Sequence, residues 1–583
     1  MKNILSTFLL ISLCGFIFGQ TNPEKTITAT PAGTGTTTWS SDTTYILDGF
    51  VFVNSGDSLT IEPGTIIKGN PGQGASASAF IVARGGYLDA QGTKENPIIF
   101  TAESDDTDNP IDIAANTTGL WGGVIILGNA TTNTEPPEQA IEGIPTTETR
   151  GLFGTIDPNN DGDYDADGIS DDEDNSGIIS YVSIRHGGTN IGGNNEINGF
   201  TMGGVGSGTT IDHIEVIFNK DDGFEWFGGT VNCSHLIAAF CGDDSYDYDM
   251  GWRGNVQFAF AIQSPGAGSD RIGEHDGGTS PETGAPFATP KFFNVTYIGR
   301  GDDEGKRMLT FRDNAGGEYH NSIFIDQDRG VDFEILGNGS EDSFDRLIGG
   351  ELKLENNIWW NIAENNADDI WTVSLGKFGT NGPDSTAAKA DSLAQLAAGT
   401  DSVRAFLGRT GQIVVDPGFP GLDRTDGNNG LDPRPRAGAA IFEATMTPIP
   451  SDPFFTEVDY LGAFDVAASE FWANEWTYMD ELDYFPKPFG DITSIDEEDL
   501  IKTVKLYPNP SRGLFTVEAT ELTEQMIQIT VIDISGRVIF ETKEQALAGE
   551  INTRINLAAA PAGMYFVKVQ QGEKLAIEQV VLQ

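Results

Sequence analysis

The chain has 583 residues, 87 Asp and Glu against 34 Lys and Arg, and a net charge of −53. So acidic a surface repels nucleic acid and anionic lipid. Aromatic residues make up 10% of the chain, too many for a disordered polyelectrolyte.

Residues 1–19 read as a secretory signal peptide. Lys2 supplies the positive end, and Ile4–Phe18 is an apolar stretch too short to span a membrane. No later stretch is apolar enough to span, so no transmembrane segment is expected. Cleavage after Gly19 removes Cys14 and leaves Cys233 and Cys241. These two are either paired through a turn or buried as thiols in adjacent strands.

From Thr43 onward, short β-branched runs alternate with Gly, Asn, Asp and Pro. Thr43–Val53, Ser58–Gly69, Ala79–Ala102 and Leu120–Ala130 are of this kind, with no helical period. The pattern resumes at Gly177–Gly188 and continues to Lys353–Asn361. Its centre, Thr210–Gln263, writes one unit twice: an apolar segment, then an acidic turn with aromatics. Asp221/Asp222 and Asp243/Asp244 stand 22 residues apart (221 to 243). A strand and a turn repeating every 20–25 residues or so predict a solenoid of stacked strands. The fold class is therefore all-β, with a parallel solenoid over residues 20–488.

Two stretches interrupt it. Residues 133–177 are a Pro-, Thr- and acid-rich insertion. Residues 384–407 are Ala- and Leu-rich after an Asp-Ser start, which predicts a helix that leaves the solenoid or covers its C-terminal end. Val458–Phe485 is aromatic and closes the domain. Residues 489–502 form an acidic linker. Residues 503–583 carry alternating strands joined by Pro-Asn-Pro, Ser-Gly and Ala-Gly turns, which predict a small antiparallel β-sandwich.

The pieces LTIEPGTII, YLDAQGT and PIIFTA resemble the opening coils of bacterial right-handed parallel β-helices, and Tyr460–Phe464 followed by Trp472 and Trp476 resembles the end of a secreted β-helix family of Bacteroidetes. The last module resembles the type A C-terminal sorting domain of the type IX secretion system. Tyr507-Pro508-Asn509-Pro510, Gly513, the Asp533/Gly536 turn and Pro561-Ala562-Gly563-Met564-Tyr565 carry that resemblance. It implies export by the type IX machinery through residues 503–583, and release or anchoring at the outer surface.

Two constellations carry chemistry. The first is Asp157, Asn159, Asp161, Asp163, Asp165, Asp167, Asp171 and Asp174. Alternate oxygen ligands with Gly168 at the sharp bend suit a hard cation, and the expected cofactor is structural calcium. The spacing resembles thrombospondin type 3 repeats more closely than EF-hand loops. The second is the stacked acidic turns: Asp221, Asp222, Glu225, Trp226, Asp243, Asp244, Asp247, Trp252 and Arg253, with Asp302, Asp303 and Glu304 as a further layer. Like charges stacked in register repel, so Lys, Arg or calcium must neutralise them. Acids beside rings could hold a sugar; equally, the acids could cap turn amides and the rings could pack on the coil. No catalytic residue is assigned. Arg253 is the one candidate base for a lyase, and His186, His213, His235, His275 and His320 read as structural. Three functions follow: a calcium-stabilised adhesin or glycan-binding surface protein, a polysaccharide lyase or glycoside hydrolase, or a structural cell-coat component.

Overall fold

The computed structural model describes residues 22–486 and 504–583, apart from 160, 193–195, 266–267, 279–280, 302–305, 337–340, 376–385, 436–438, 467–470, 521, 523–525, 534–537, 547–549, 559 and 572–573. The expected signal peptide, the linker 489–502, Asp302, Asp303, Glu304 and Gly536 lie outside the described residues. The chain divides into two compact units, with the boundary after Pro486.

The first unit is a solenoid of parallel strands in two large sheets, one of 18 strands and one of ten. Its central strands show how the repeat becomes a coil. Ile179, Ile211, Cys233 and Val256 stand in register across four neighbouring strands, and all four are buried. Ile184, Val216, Ala238 and Ala261 form a second inward column, continued by Tyr297, Phe324 and Trp359. The long strands of the 18-stranded sheet bend midway. Tyr181, His213, His235 and Phe258 sit at the bend with positive φ and drop out of the ladder.

Beyond the bend the strands are apolar on both faces, which explains runs such as FAFAI. Ile237, Phe260, Ile298, Ile325 and Ile358 point outward and are covered by residues 461–485, among them Leu461, Phe464, Phe471 and Trp476. The aromatic closing segment therefore lies along the side of the solenoid. The helix Thr386–Leu407 packs Val403 and Leu407 into the interior cluster with Trp371 and Val373, against the last strand of the ten-stranded sheet. Among the described residues no helix is long and apolar enough to cross a membrane.

Cys233 and Cys241 are free and buried, and burial pushes both thiols up to about 12. Of the alternatives, buried thiols is the one observed. The second unit has a three-stranded and a four-stranded sheet, both antiparallel. Phe515, Val517, Ile529, Val531, Val567 and Val569 fill its core.

Glu215 anchors the closing segment. It is 0% exposed and stands in the outward column beside Ser183 and Ile237. Its carboxylate accepts the Tyr478 amide at 2.7 Å, the Met479 amide at 3.0 Å and the Ser183 hydroxyl at 2.6 Å. Arg185 lies against the Tyr478 ring at 4.1 Å and pairs with Glu481 at 3.0 Å. Removing the carboxylate leaves two buried amides without their acceptor and the buried Arg185 with Glu481 as its ion partner. Glu215→Ala is expected to cost about 3 kcal/mol and to open the chain around Tyr478 to protease. Unchanged denaturant melting and digestion would show that the anchor lies elsewhere.

Candidate functional site

The ten-stranded sheet alternates strictly. Phe224, Trp226, Tyr246 and Tyr248 point inward, and Glu225 and Asp247 point outward. One outward column reads Phe52, Ile81, Ile125, Thr201, Glu225, Asp247, Glu274, Thr310, Asp332 in successive coils. Its apolar half is covered by the insertion, whose Ile141, Ile144 and Phe153 pack on Ile81, Ile125 and Leu127. Its acidic half begins where that cover ends.

The preceding turn is an aspartate ladder. Asp222 is buried and accepts the Asp244 amide at 2.8 Å; Asp244 is buried and accepts the Arg271 amide at 2.5 Å. Each carboxylate thus caps the backbone of the next coil. Arg271 also reaches Glu274 at 3.0 Å and Asp270 at 3.5 Å, and Arg312 reaches Glu274 at 2.5 Å and Asp276 at 2.6 Å. These two arginines serve one end of the ladder. Among the described residues, no Lys or Arg forms an ion pair with Asp221, Asp222, Glu225, Asp243 or Asp247. Glu225 accepts the Asn198 side-chain amide, and one buried oxygen of Asp247 has no partner.

The electrostatic consequence is large. Burial, and then the neighbouring Asp243, Glu196 and Glu142, push the Asp221 carboxyl up to about 7. Burial and neighbouring carboxylates hold Asp222, Glu225, Asp244 and Asp247 well above the ordinary range. Two sets of three, Asp221/Asp222/Asp243 and Asp222/Glu225/Asp247, each bring carboxylate oxygens within 4.8 Å of one another.

The rings expected beside these acids are not available to a ligand. Trp226 and Trp252 are 0% exposed and stack on each other inside the coil, 4.4 Å between centroids. Strand alternation puts every second residue indoors, and here the indoor ones are aromatic. Arg253 pairs with Asp172 at 2.9 Å and donates to the Gly251 carbonyl, so it fastens the insertion to a neighbouring turn.

The acidic loop divides. Asp157, Asp161 and Asp167 converge within 4.8 Å, and Asn159 donates to Asp167. Asp157 also accepts the Gly162 amide at 2.8 Å, and Asp161 the Asp163 amide at 3.0 Å. An Ile156–Ile169 bridge closes the loop. Partial desolvation, and then Asp161, Asp157 and Asp163, raise the Asp167 carboxyl. Asp171 and Asp174 are elsewhere: Asp171 caps the Glu173 amide, and Asp174 meets Ser176 against the coil. The described contacts group Asp157, Asn159, Asp161 and Asp167, and give Asp171 and Asp174 other partners. The side chain of Asp165 lies outside what is described.

Three histidines are interior. His275 stacks on Tyr248 at 4.3 Å, and burial lowers it to about 3; His186 and His320 are buried against Thr117 and Glu318. The other two, His213 and His235, share Asp212 at 2.8 Å each. They are 22 residues apart, like the aspartates, and that spacing was the signal that could have found them.

The family model of a pectate-lyase-like β-helix domain matches residues 32–401, and that of a secretion-system C-terminal sorting domain matches residues 505–583. Among curated proteins, none matches the chain. The sorting domain marks the protein for type IX secretion to the cell surface or the extracellular space. With its parallel sheets and a match over more than half its length, the chain belongs to the pectate-lyase-like β-helix family.

Proposed function

We propose that this secreted protein is a calcium-stabilised surface protein that binds glycan, an adhesin rather than an enzyme. One observation carries the calcium part. Glu225 and Asp247 are paired in register, Asp221, Asp222 and Asp243 converge beside them, none of the five has an ion-paired Lys or Arg among the described residues, and an oxygen of Asp247 is buried without a partner. Oxygen-only ligands with such charge suit a hard divalent cation, which would offset the mutual repulsion. The Asp157/Asp161/Asp167 group is a second candidate of the same chemistry. Glycan binding is supported by the secreted setting and by the pectate-lyase-like β-helix domain. Arg253, the one candidate base for a lyase, pairs with Asp172, which favours the non-enzymatic reading.

Calorimetric titration of the secreted protein with calcium tests the cation, alongside thermal melting. Binding with a raised Tm is expected. Glu225→Gln with Asp247→Asn should lose part of the calcium response and melt higher than wild type in chelator, because the repulsion is gone. Asp157→Asn with Asp161→Asn should remove a separable share of binding and leave the chelator Tm nearly unchanged. Absence of binding at millimolar calcium would end the proposal for both groups.

The same carboxylates set a pH dependence. A carboxyl held above its unfolded value of about 4 binds its proton more tightly in the folded chain. Stability is then full below about pH 4 and is lost as pH rises through the folded value, about 7 for Asp221 and Asp276. In chelator the protein should melt several degrees higher at pH 5 than at pH 8, each site contributing on the order of 1–2 kcal/mol after solvent screening. Calcium should narrow that gap. Equal melting at both pH values in chelator would mean that the acids are neutralised by other means.

A further inference from the structure

The bend of the 18-stranded sheet brings two histidines against the closing segment. In later coils the bend residue is Asn: Asn294, Asn321 and Asn356, with φ of 54°, 55° and 55°. Asn tolerates the left-handed region. In four earlier coils the same place is held by Tyr181, His213, His235 and Phe258, at 50°, 56°, 52° and 62°. The four rings stack in a row, with centroids 4.2, 4.1 and 5.0 Å apart. Trp472 and Trp476 of the closing segment cross the row, 5.1 Å from His235 and 5.7 Å from His213.

One carboxylate serves both imidazoles. Asp212 meets Nδ1 of His213 on one oxygen and Nδ1 of His235 on the other, each at 2.8 Å, and accepts the Ser234 hydroxyl at 2.6 Å. A carboxylate only accepts, so both Nδ1 atoms carry hydrogen. Burial would raise the Asp212 carboxyl, but the two imidazole donors outweigh it and hold it low. Asp212 therefore stays ionised in mild acid, and titration falls to the rings. Burial acts first on His213 and holds it below its ordinary value against the pull of Asp212, and a charged His235 lowers it further.

Acid loads this pair unequally. The His235 side chain is 23% exposed and that of His213 11%. The first proton therefore goes to His235 and makes an ion pair with Asp212. The second makes cations of two rings 4.1 Å apart and nearly parallel, over a single carboxylate. Other charged groups surround them. Lys94 and Glu95 act on Tyr181 together with Asp212, Glu475 pairs with Lys94 at 3.6 Å, and Asp465, Tyr460 and Lys94 border the same cleft as His235. The acids ease protonation and Lys94 opposes it. Among the described residues Asp212 alone is ion-paired with either ring. Tyr181 and Phe258 cover the outer faces of the pair, and the strand ladder fixes the backbone. Water for the second charge must come from the side that Trp472 and Trp476 cover.

We infer that His213 and His235 form an acid-sensitive latch for the closing segment, which is seated while at most one imidazole is charged and loosens when both are. His213 sets the direction. A histidine held below its unfolded value of about 6.5 gives stability that is present above that pH and is lost as pH falls through the folded value. Asp221 and Asp276 act the other way. The protein as a whole thus melts higher in acid while the chain around Trp472 and Trp476 loosens, so the latch is visible only in a local measurement.

The test is hydrogen exchange of the full secreted chain at about pH 7.5 and about pH 5, read by mass spectrometry and corrected for the intrinsic rate at each pH. Protection of residues 461–485 should fall at least about tenfold in acid relative to the ten-stranded sheet, with calcium and in chelator alike. His213→Asn with His235→Asn, the residue of the later bends, should keep the neutral-pH protection and lose the fall. His213→Asn alone leaves one chargeable ring and should be flat as well, which covers a double variant that fails to seat the segment. Equal protection of wild type at both pH values would overturn the latch. So would a fall that survives in both histidine variants; its loss in Glu215→Gln would then give the role to that carboxylate. A fall in chelator alone would place the cause on the acidic face and overturn the latch equally.

Discussion

In this solenoid each coil lies over the one before it, about 4.8 Å away and in register, so a side chain meets its counterpart in the next coil. Identical neighbours are rewarded or penalised by chemistry alone. Aliphatic residues give the columns Ile179–Ile211–Cys233–Val256 and Ile184–Val216–Ala238–Ala261. Rings give the rows Trp226–Trp252 and Tyr181–His213–His235–Phe258. Carboxylates give the opposite sign. Asp222 and Asp244 are tolerated because each caps the amide of the following coil, a hydrogen bond to the charged form that returns part of the electrostatic cost. Glu225 and Asp247 cap no backbone amide of the next coil, and there the cost stands.

The same geometry explains why neighbouring stretches of one column differ in composition. An outward position is apolar where something lies on it and polar where nothing does. Phe52, Ile81 and Ile125 sit beneath the insertion, and Glu225, Asp247 and Glu274 follow in the same column once the insertion has passed. On the other sheet Ile237, Phe260 and Ile298 lie beneath the closing segment. Glu215 is the exception that positions the cover: a buried charge whose partners are two amides of that segment. A hydrophobic residue there would hold the segment by area alone. The carboxylate demands one register of the chain against the sheet.

Much of the fold was legible in the sequence because its signals are local. A strand and a turn at fixed spacing specify a coil, and the motifs from Tyr507 to Tyr565 mark the sorting module. The site was less legible because it depends on which face a residue takes. FEWF and YDYD are short enough to be read with either face outward, so Trp226 was expected beside the acids and stands inside the coil. In the loop, the spacing from Asp157 to Asp174 is compatible with one set of ligands. The Ile156–Ile169 bridge ends the loop before Asp171, whose amide donates to the Asn129 carbonyl and whose carboxylate caps the Glu173 amide. His213 and His235 read as scattered histidines because their meaning lies in the bend, and a left-handed backbone conformation at a ring has no sequence signature.

The two outer faces meet their energetic costs in different ways. Net charge of −53 with 34 basic residues leaves the folded chain short of counter-charge. Any cation that binds the folded state alone stabilises it by mass action, so the stability of the acidic face is set by the surroundings and not by the chain. The bend site has the reverse character. Its strain is met within the protein, by ring stacking, by the Asp212 bridge and by the tryptophans of the closing segment. It is therefore preorganised whether or not the acidic face is filled. The row of rings depends on the closing segment being seated against it, and so on the carboxylate of Glu215.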